Sequence, residues 1–123
     1  MTLQNSLYYI SSICQMPNGL RFDIHLNKDH IIYNAHFPGQ PITPGVCIVQ
    51  IARELMETHL KTTLRLHTIK NIKFLSPISP EEYPDVSFDL QNIAIEDNDV
   101  KFQAVVSSSA NTFAKLSLQL SIE

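Results

Sequence analysis

The sequence predicts an α+β fold in which one long helix is wrapped by a curved antiparallel sheet. Three observations carry that expectation. The run after Pro44 is apolar over most of a helical wheel, later segments alternate apolar and polar residues with the period of a strand, and turn-forming residues separate those segments. The 123 residues, 44% of them hydrophobic, fit one domain spanning 1–123.

The opening, around Leu7 to Ile13, has no decisive period. Residues Leu20 to Leu26 then alternate Leu20, Phe22, Ile24 and Leu26 with Arg21, Asp23 and His25, as a half-buried strand does, and Met16 to Gly19 forms the turn before it. A short apolar run, Ile31 to Tyr33, leads into a loop containing Pro38, Gly39, Pro41, Pro44 and Gly45. Prolines fix their own φ and restrict the residue before them, so this loop is stiff and suited to presenting a side chain in fixed register. Thr43 is placed to cap the helix and Pro44 suits its first position, while His59 and Lys61 suit its C-terminal end, where cations are favoured.

On the helical wheel Gln50, Arg53, Glu54 and Glu57 form one polar stripe roughly 100° wide. Val46, Cys47, Ile48, Val49, Ile51, Ala52, Leu55, Met56 and Leu60 cover the rest, so other elements must wrap the helix. Leu66 to Phe74 reads as a long strand whose imperfect alternation predicts a bulge or bend. Val86, Phe88 and Leu90 alternate cleanly, as do Val100, Phe102, Ala104 and Val106. The last run puts Ala114, Leu116, Leu118, Leu120 and Ile122 on one face. Asp97-Asn98 and Ala110-Asn111 supply hairpin turns.

Composition narrows the function. Nine Lys and Arg against twelve Asp and Glu give a net charge of -3 without a basic run, so nucleic acid is not an expected partner. No segment approaches the roughly 18 apolar residues of a membrane span, and the N-terminus lacks signal-peptide features, which makes the cytoplasm the expected compartment. Cys14 and Cys47 have neither metal nor redox spacing and read as reduced packing thiols, and His25, His30, His59 and His67 are scattered. Phosphate-loop and nucleophile-elbow motifs are absent, so no cofactor or metal is expected.

The segment HFPGQPITPGV, followed by an apolar helix, resembles the 3-hydroxyacyl-[acyl-carrier-protein] dehydratases of fatty acid synthesis. Their pattern is His-Phe-Pro-Gly, then Pro-x-x-Pro-Gly-Val, then a carboxylate on the helix. His36, Phe37, Pro38, Gly39, Pro41, Pro44, Gly45 and Val46 match it, and the likeness continues through IKNIKFLSPISPEE and the final strand pair. The resemblance covers nearly all of the chain after about Leu20. It implies the hotdog fold, two protomers joined sheet to sheet with active sites at their interface, often a trimer of dimers, and an acyl thioester on acyl carrier protein as substrate.

Dehydrating a 3-hydroxyacyl thioester requires a base for the α-proton, a stabiliser for charge on the thioester oxygen, and an acid for the departing hydroxyl. By the resemblance His36 is the base, and a histidine with a pKa of about 6.5 suits that work at neutral pH. Gly45 at the helix N-terminus is the candidate backbone donor to the oxyanion. Fourteen residues after the histidine, where the family has Glu or Asp, this chain has Gln50, and one turn later, where the family often has Gln, it has Glu54. Ala35 also replaces a usual glycine. A glutamine orients a hydroxyl but donates no titratable proton; residues at i and i+4 share a helix face, so Glu54 is the candidate substitute. Taken alone, Glu54 belongs to a solvated or interfacial stripe with Arg53 and Glu57. Two alternatives stand beside the dehydratase. One is a non-catalytic or half-catalytic subunit of a hetero-oligomer whose related partner supplies the carboxylate; the other is a hotdog thioester hydrolase with Glu54 activating water.

Overall fold

A computed structural model describes residues 2–123 of the chain. In chain order the elements are β1 (Tyr8–Met16), β2 (Gly19–Leu26), a short helix α1 (Ile32–Ala35), the long helix α2 (Gly45–Leu60), β3 (Leu64–Phe74), β4 (Asp85–Glu96), β5 (Asp99–Ser107) and β6 (Thr112–Ile122). All six strands join one antiparallel sheet in the order β1-β2-β4-β5-β6-β3, which puts β3, the strand after α2, at the far edge. Among the described residues no helix is long and apolar enough to cross a membrane.

The alternation seen in the sequence becomes one apolar inner face. Leu20, Phe22 and Ile24 stand opposite Leu90, Phe88 and Val86, and Leu90 and Phe88 continue their rows to Ala104 and Val106 of β5. Across β5 and β6, Val100, Phe102 and Ala104 meet Leu120, Leu118 and Leu116, and every one of these side chains is buried. Helix α2 closes the core with Ile48, Ile51, Ala52, Leu55 and Met56. Burying each large apolar side chain contributes roughly 1.5–3 kcal/mol, so this face is the main source of stability.

Strand β3 shows how a bulge rescues an imperfect pattern. Its apolar residues Leu66, Ile69 and Ile72 are three apart and Phe74 follows two further on, yet all four oppose the inward-facing Leu120, Leu118, Leu116 and Ala114 of β6. Register shifts at Leu66/Thr68 and Ile69/Asn71 each absorb one extra residue, so spacings of three still return to the same face. The expected bend is therefore two bulges. At the β1–β2 turn Gly19 is obligatory: a Cβ there would lie 1.9 Å from the Leu90 carbonyl oxygen of β4.

Several local expectations need correction. The indecisive opening is edge strand β1, with Leu7 and Tyr8 fully buried, and the Ile31–Tyr33 run belongs to the turn of helix α1. Thr43 does not cap α2. The N-cap is Pro44, in extended backbone and without a side-chain cap bond, while the Thr43 hydroxyl pairs with that of Tyr33 at 2.9 Å. Val46, placed on the apolar face, is 75% exposed.

The polar stripe of α2 is not a solvated face. Arg53 and Glu57 pair at 3.1 Å and bind the carbonyl and amide of Leu64, tying the helix to the start of β3. Glu54 is only 4% exposed and turns toward the N-terminal segment. A wheel separates polar from apolar positions, but it does not say whether the polar side faces water or backbone donors.

Candidate active site

Short hydrogen bonds hold the loop that carries His36. The His36 amide caps α1 by donating to the carbonyl of its first residue, Ile32, Phe37 and Gln40 exchange backbone bonds around Pro38-Gly39, and the Ile42 amide returns to the His36 carbonyl at 2.9 Å. Gly39 takes φ +77°, a conformation that other residues resist. The Thr43 amide then bonds the Ile78 carbonyl at 2.9 Å, fastening the loop to the segment after β3. His36 is thus fixed by its own backbone on both sides, as the proline-rich composition predicted.

Beyond this loop lies a cavity of about 340 Å³ whose walls include His36, Ile42, Gly45, Ile48, Phe74 and Ile78. The wall is mostly apolar, which suits an acyl thioester. A Cβ on Gly45 would stand 2.7 Å from the Phe74 ring, so the missing side chain lets the ring pack against the first turn of α2. The amides of Cys47 and Ile48 bond the Pro44 carbonyl, and helix geometry leaves those of Gly45 and Val46 without an intrahelical acceptor. With the macrodipole behind them, they form a local site for developing negative charge.

His36 stacks on Phe37 with ring centroids 4.0 Å apart, and its Nδ1 is buried with no hydrogen-bond partner among the described residues. An unpaired buried polar group costs about 1–3 kcal/mol, so such atoms concentrate where a substrate or a second chain will use them. Cys47 is buried in the helix, and burial pushes its thiol pKa up, which fits packing better than nucleophilic attack. A larger groove of about 570 Å³ is lined by Asp23, Glu82, Asp85 and neighbouring serines, but no motif residue reaches it.

Gln50 and Glu54 are not on the wall of the His36 cavity. Five residues of helix rotate Gln50 roughly 140° away from Gly45, to another side of α2. There Glu54 Oε1 accepts from the Gln4 amide at 2.9 Å and the Tyr8 hydroxyl at 3.0 Å. Its Oε2 accepts from the Leu3 amide at 2.8 Å and Gln50 Nε2 at 2.9 Å. Burial, and then the neighbouring Glu54 charge, raise the Tyr8 pKa, so this hydroxyl remains a donor. Within one chain, then, His36 and Gly45 come together while Gln50 and Glu54 form a second cluster. The sequence reading did not single out Phe74 as a wall of the site or Tyr8 as a partner of Glu54. Phe74 lay within a segment already matched to the dehydratase pattern; Tyr8 carried no signal.

Comparison with known proteins bears on the family and the fold. The family model described as ApeI-like, ApeI dehydratase, matches residues 13–117. A curated relative, the 3-hydroxyacyl-[acyl-carrier-protein] dehydratase FabZ of Wolbachia sp. subsp. Drosophila simulans (strain wRi), is 28% identical over 90 residues. That alignment spans 68% of this chain and 62% of the relative, so the match reaches only about three fifths of the relative's length. Among solved structures, the dehydratase heterocomplex ApeI:P of Xenorhabdus doucetiae superposes with a TM-score of 0.65 at 19% identity, covering 92% of this chain and 96% of that one. The thioesterase HI1161 of Haemophilus influenzae gives 0.64 at 17% identity, covering 96% and 80%. At these identities the structures establish the fold, and it is the hotdog fold implied by the motif.

Proposed function

The chain belongs to the ApeI-like dehydratase family, and from that premise we propose that it eliminates water from a 3-hydroxyacyl thioester carried on acyl carrier protein, in fatty acid or polyene-type biosynthesis in the cytoplasm. The observation that supports this reading is the shared cavity of His36 and the first turn of α2. His36 removes the α-proton. The amide of Gly45 stabilises the enolate-like oxygen, and the apolar wall with Phe74 receives the acyl chain.

In the functional assembly, a homodimer or a trimer of dimers, two protomers join sheet to sheet and the Gln50 of one helix faces the His36 of the other protomer. Hydration of a trans-2-enoyl thioester, the reverse reaction, tests the proposal. Turnover above that of a His36→Ala variant is expected, and equal rates for the two proteins would sink it.

A second reading has its own support. Among the residues lining the His36 cavity only His36 is titratable, and Glu54 is occupied elsewhere. A half-catalytic subunit that receives its carboxylate from a related dehydratase fits that arrangement. Activity that appears only on co-expression with such a partner would replace the homo-oligomer reading. The hydrolase reading loses support, because Glu54, its water-activating candidate, already accepts four hydrogen bonds.

A further inference from the structure

The sheet ends at β3, which bonds β6 on one side and has no neighbouring strand on the other among the described residues. An open edge is a template for another chain. Its inward-facing Leu66, Ile69 and Phe74 are exposed, although the β6 residues opposite them are buried. Val46 of α2, next to the Gly45 on which Phe74 packs, is exposed as well. The same strand carries Arg65, Lys70 and Lys73, all exposed, and Lys73 stands opposite Lys115 of β6. β3 and β6 hold these four cations and no Asp or Glu, in a chain whose net charge is -3. None of the four has an ion-pair partner among the described residues. Lysines guard some edges against chance pairing, but a guarded edge has no need of an exposed apolar row. Here the apolar row calls for a partner, and the charges decide which one.

We propose that the β3 edge docks a related subunit of this fold whose own edge strand is acidic, in preference to a second copy of this chain. The inference rests on the sheet-to-sheet assembly proposed above and deepens it by stating which partner fits. In any register or direction, pairing the β3 strands of two copies sets these cations against neutral residues or one another, never against a carboxylate. Like charges facing each other across strands destabilise the pair, and opposite charges favour it. A lone acidic strand would meet the edge but leave Val46 and Phe74 uncovered. A subunit with its own helix beside its edge strand covers both and adds the complementary charge.

A charge-reversed copy of the full-length chain, Arg65→Glu with Lys70→Glu and Lys73→Glu, serves as the acidic partner. The wild type and this copy are co-expressed, and their dimers are counted by native mass spectrometry. The ratio of mixed to like dimers should exceed the statistical ratio about tenfold at low salt, and approach it as salt screens the edge. Statistical mixing at low salt overturns the choice of partner and leaves the sheet-to-sheet assembly standing. A control copy carrying Lys28→Glu and Lys101→Glu, on the loop after β2 and on β5, should mix statistically. If it prefers the wild type as strongly, net charge rather than the edge selects, and the inference falls. The wild type alone gives an independent reading that decides even if the reversed copy does not fold. Its self-association should strengthen several-fold as sodium chloride is added, because screening removes the repulsion between the two edges. Weakening with salt overturns the inference, and no association at any salt overturns the sheet-to-sheet assembly together with it.

Discussion

The two polar clusters along α2 are handled in opposite ways. Around His36 and the first turn, polar atoms are left unpaired: Nδ1 of His36 is buried without a partner, and helix geometry leaves the Gly45 amide without an intrahelical acceptor. One to two turns further on, every lone pair of Glu54 is taken. Unpaired buried groups weaken a fold, and filled ones strengthen it. The first cluster is therefore arranged for an incoming molecule and the second for the scaffold, although sequence resemblance alone would have assigned catalytic duty to both.

The largest effect that could break this contrast is on rate. His36→Ala should lower enoyl-thioester hydration by about 10²-fold or more, the ordinary loss for a removed general base. Its midpoint in urea should move little, because the ring's buried nitrogen makes no bond to lose. Purified protein assayed for both properties checks this. A variant that unfolds easily yet retains turnover would reverse the roles of the two clusters.

Glu54→Ala should do the opposite. Removing a carboxylate with four bonds leaves the Leu3 and Gln4 amides and the Tyr8 hydroxyl without their acceptor, and the expected loss is about 2–4 kcal/mol of unfolding free energy. Equilibrium denaturation measures it. Hydrogen exchange at Leu3 and Gln4 should rise with it, since those amides lose the bond that seats them. A change below about 0.5 kcal/mol, the range of ordinary surface substitutions, would return Glu54 to the solvated stripe that the wheel suggested.

These roles differ in how far the sequence disclosed them. Strict alternation located β2, β5 and β6, and the motif placed His36 and Gly45 together, because both depend on near neighbours in the chain. Glu54 was misread because its partners, Leu3, Gln4 and Tyr8, lie 51, 50 and 46 residues away in a segment without a clear period. The Thr43 cap failed for a similar reason: its amide is taken by Ile78 and its hydroxyl pairs with Tyr33, two tertiary bonds that outweigh a local preference. Phe74 was read correctly as a strand residue, but its task against Gly45 appears only when β3 and α2 meet.

An alkaline titration sharpens the scaffold side. The folded pKa of Tyr8 lies above its unfolded value of about 10, chiefly through burial and then the Glu54 charge. A raised folded pKa favours the protonated form, so the stability it contributes is intact below pH 10 and is lost as pH rises above it. Between the unfolded and folded values the loss is about 1.4 kcal/mol per pH unit. Urea midpoints from pH 9 to 11 should fall more steeply for the wild type than for Tyr8→Phe. Parallel curves would mean that Tyr8 is not held as a neutral donor to Glu54.

The smallest effect belongs to Gly45→Ala, which probes where the two clusters share a helix. The added methyl would meet the Phe74 ring at 2.7 Å, closer than real contacts allow, so the ring must swing aside. Phe74 is 54% exposed and has room to move, and alanine is the better helix former, so stability should change by less than about 1 kcal/mol. Activity should fall several-fold more than stability suggests, because the displaced ring is a wall of the substrate cavity. Pairing Gly45→Ala with Phe74→Leu separates the causes. A smaller side chain at position 74 restores space for the methyl, so recovery of rate in the double variant assigns the defect to the ring. If the rate stays low although the clash is gone, the methyl itself disturbs the approach of the thioester oxygen to the Gly45 amide, and the first turn of α2 rather than Phe74 sets the geometry of the open cluster.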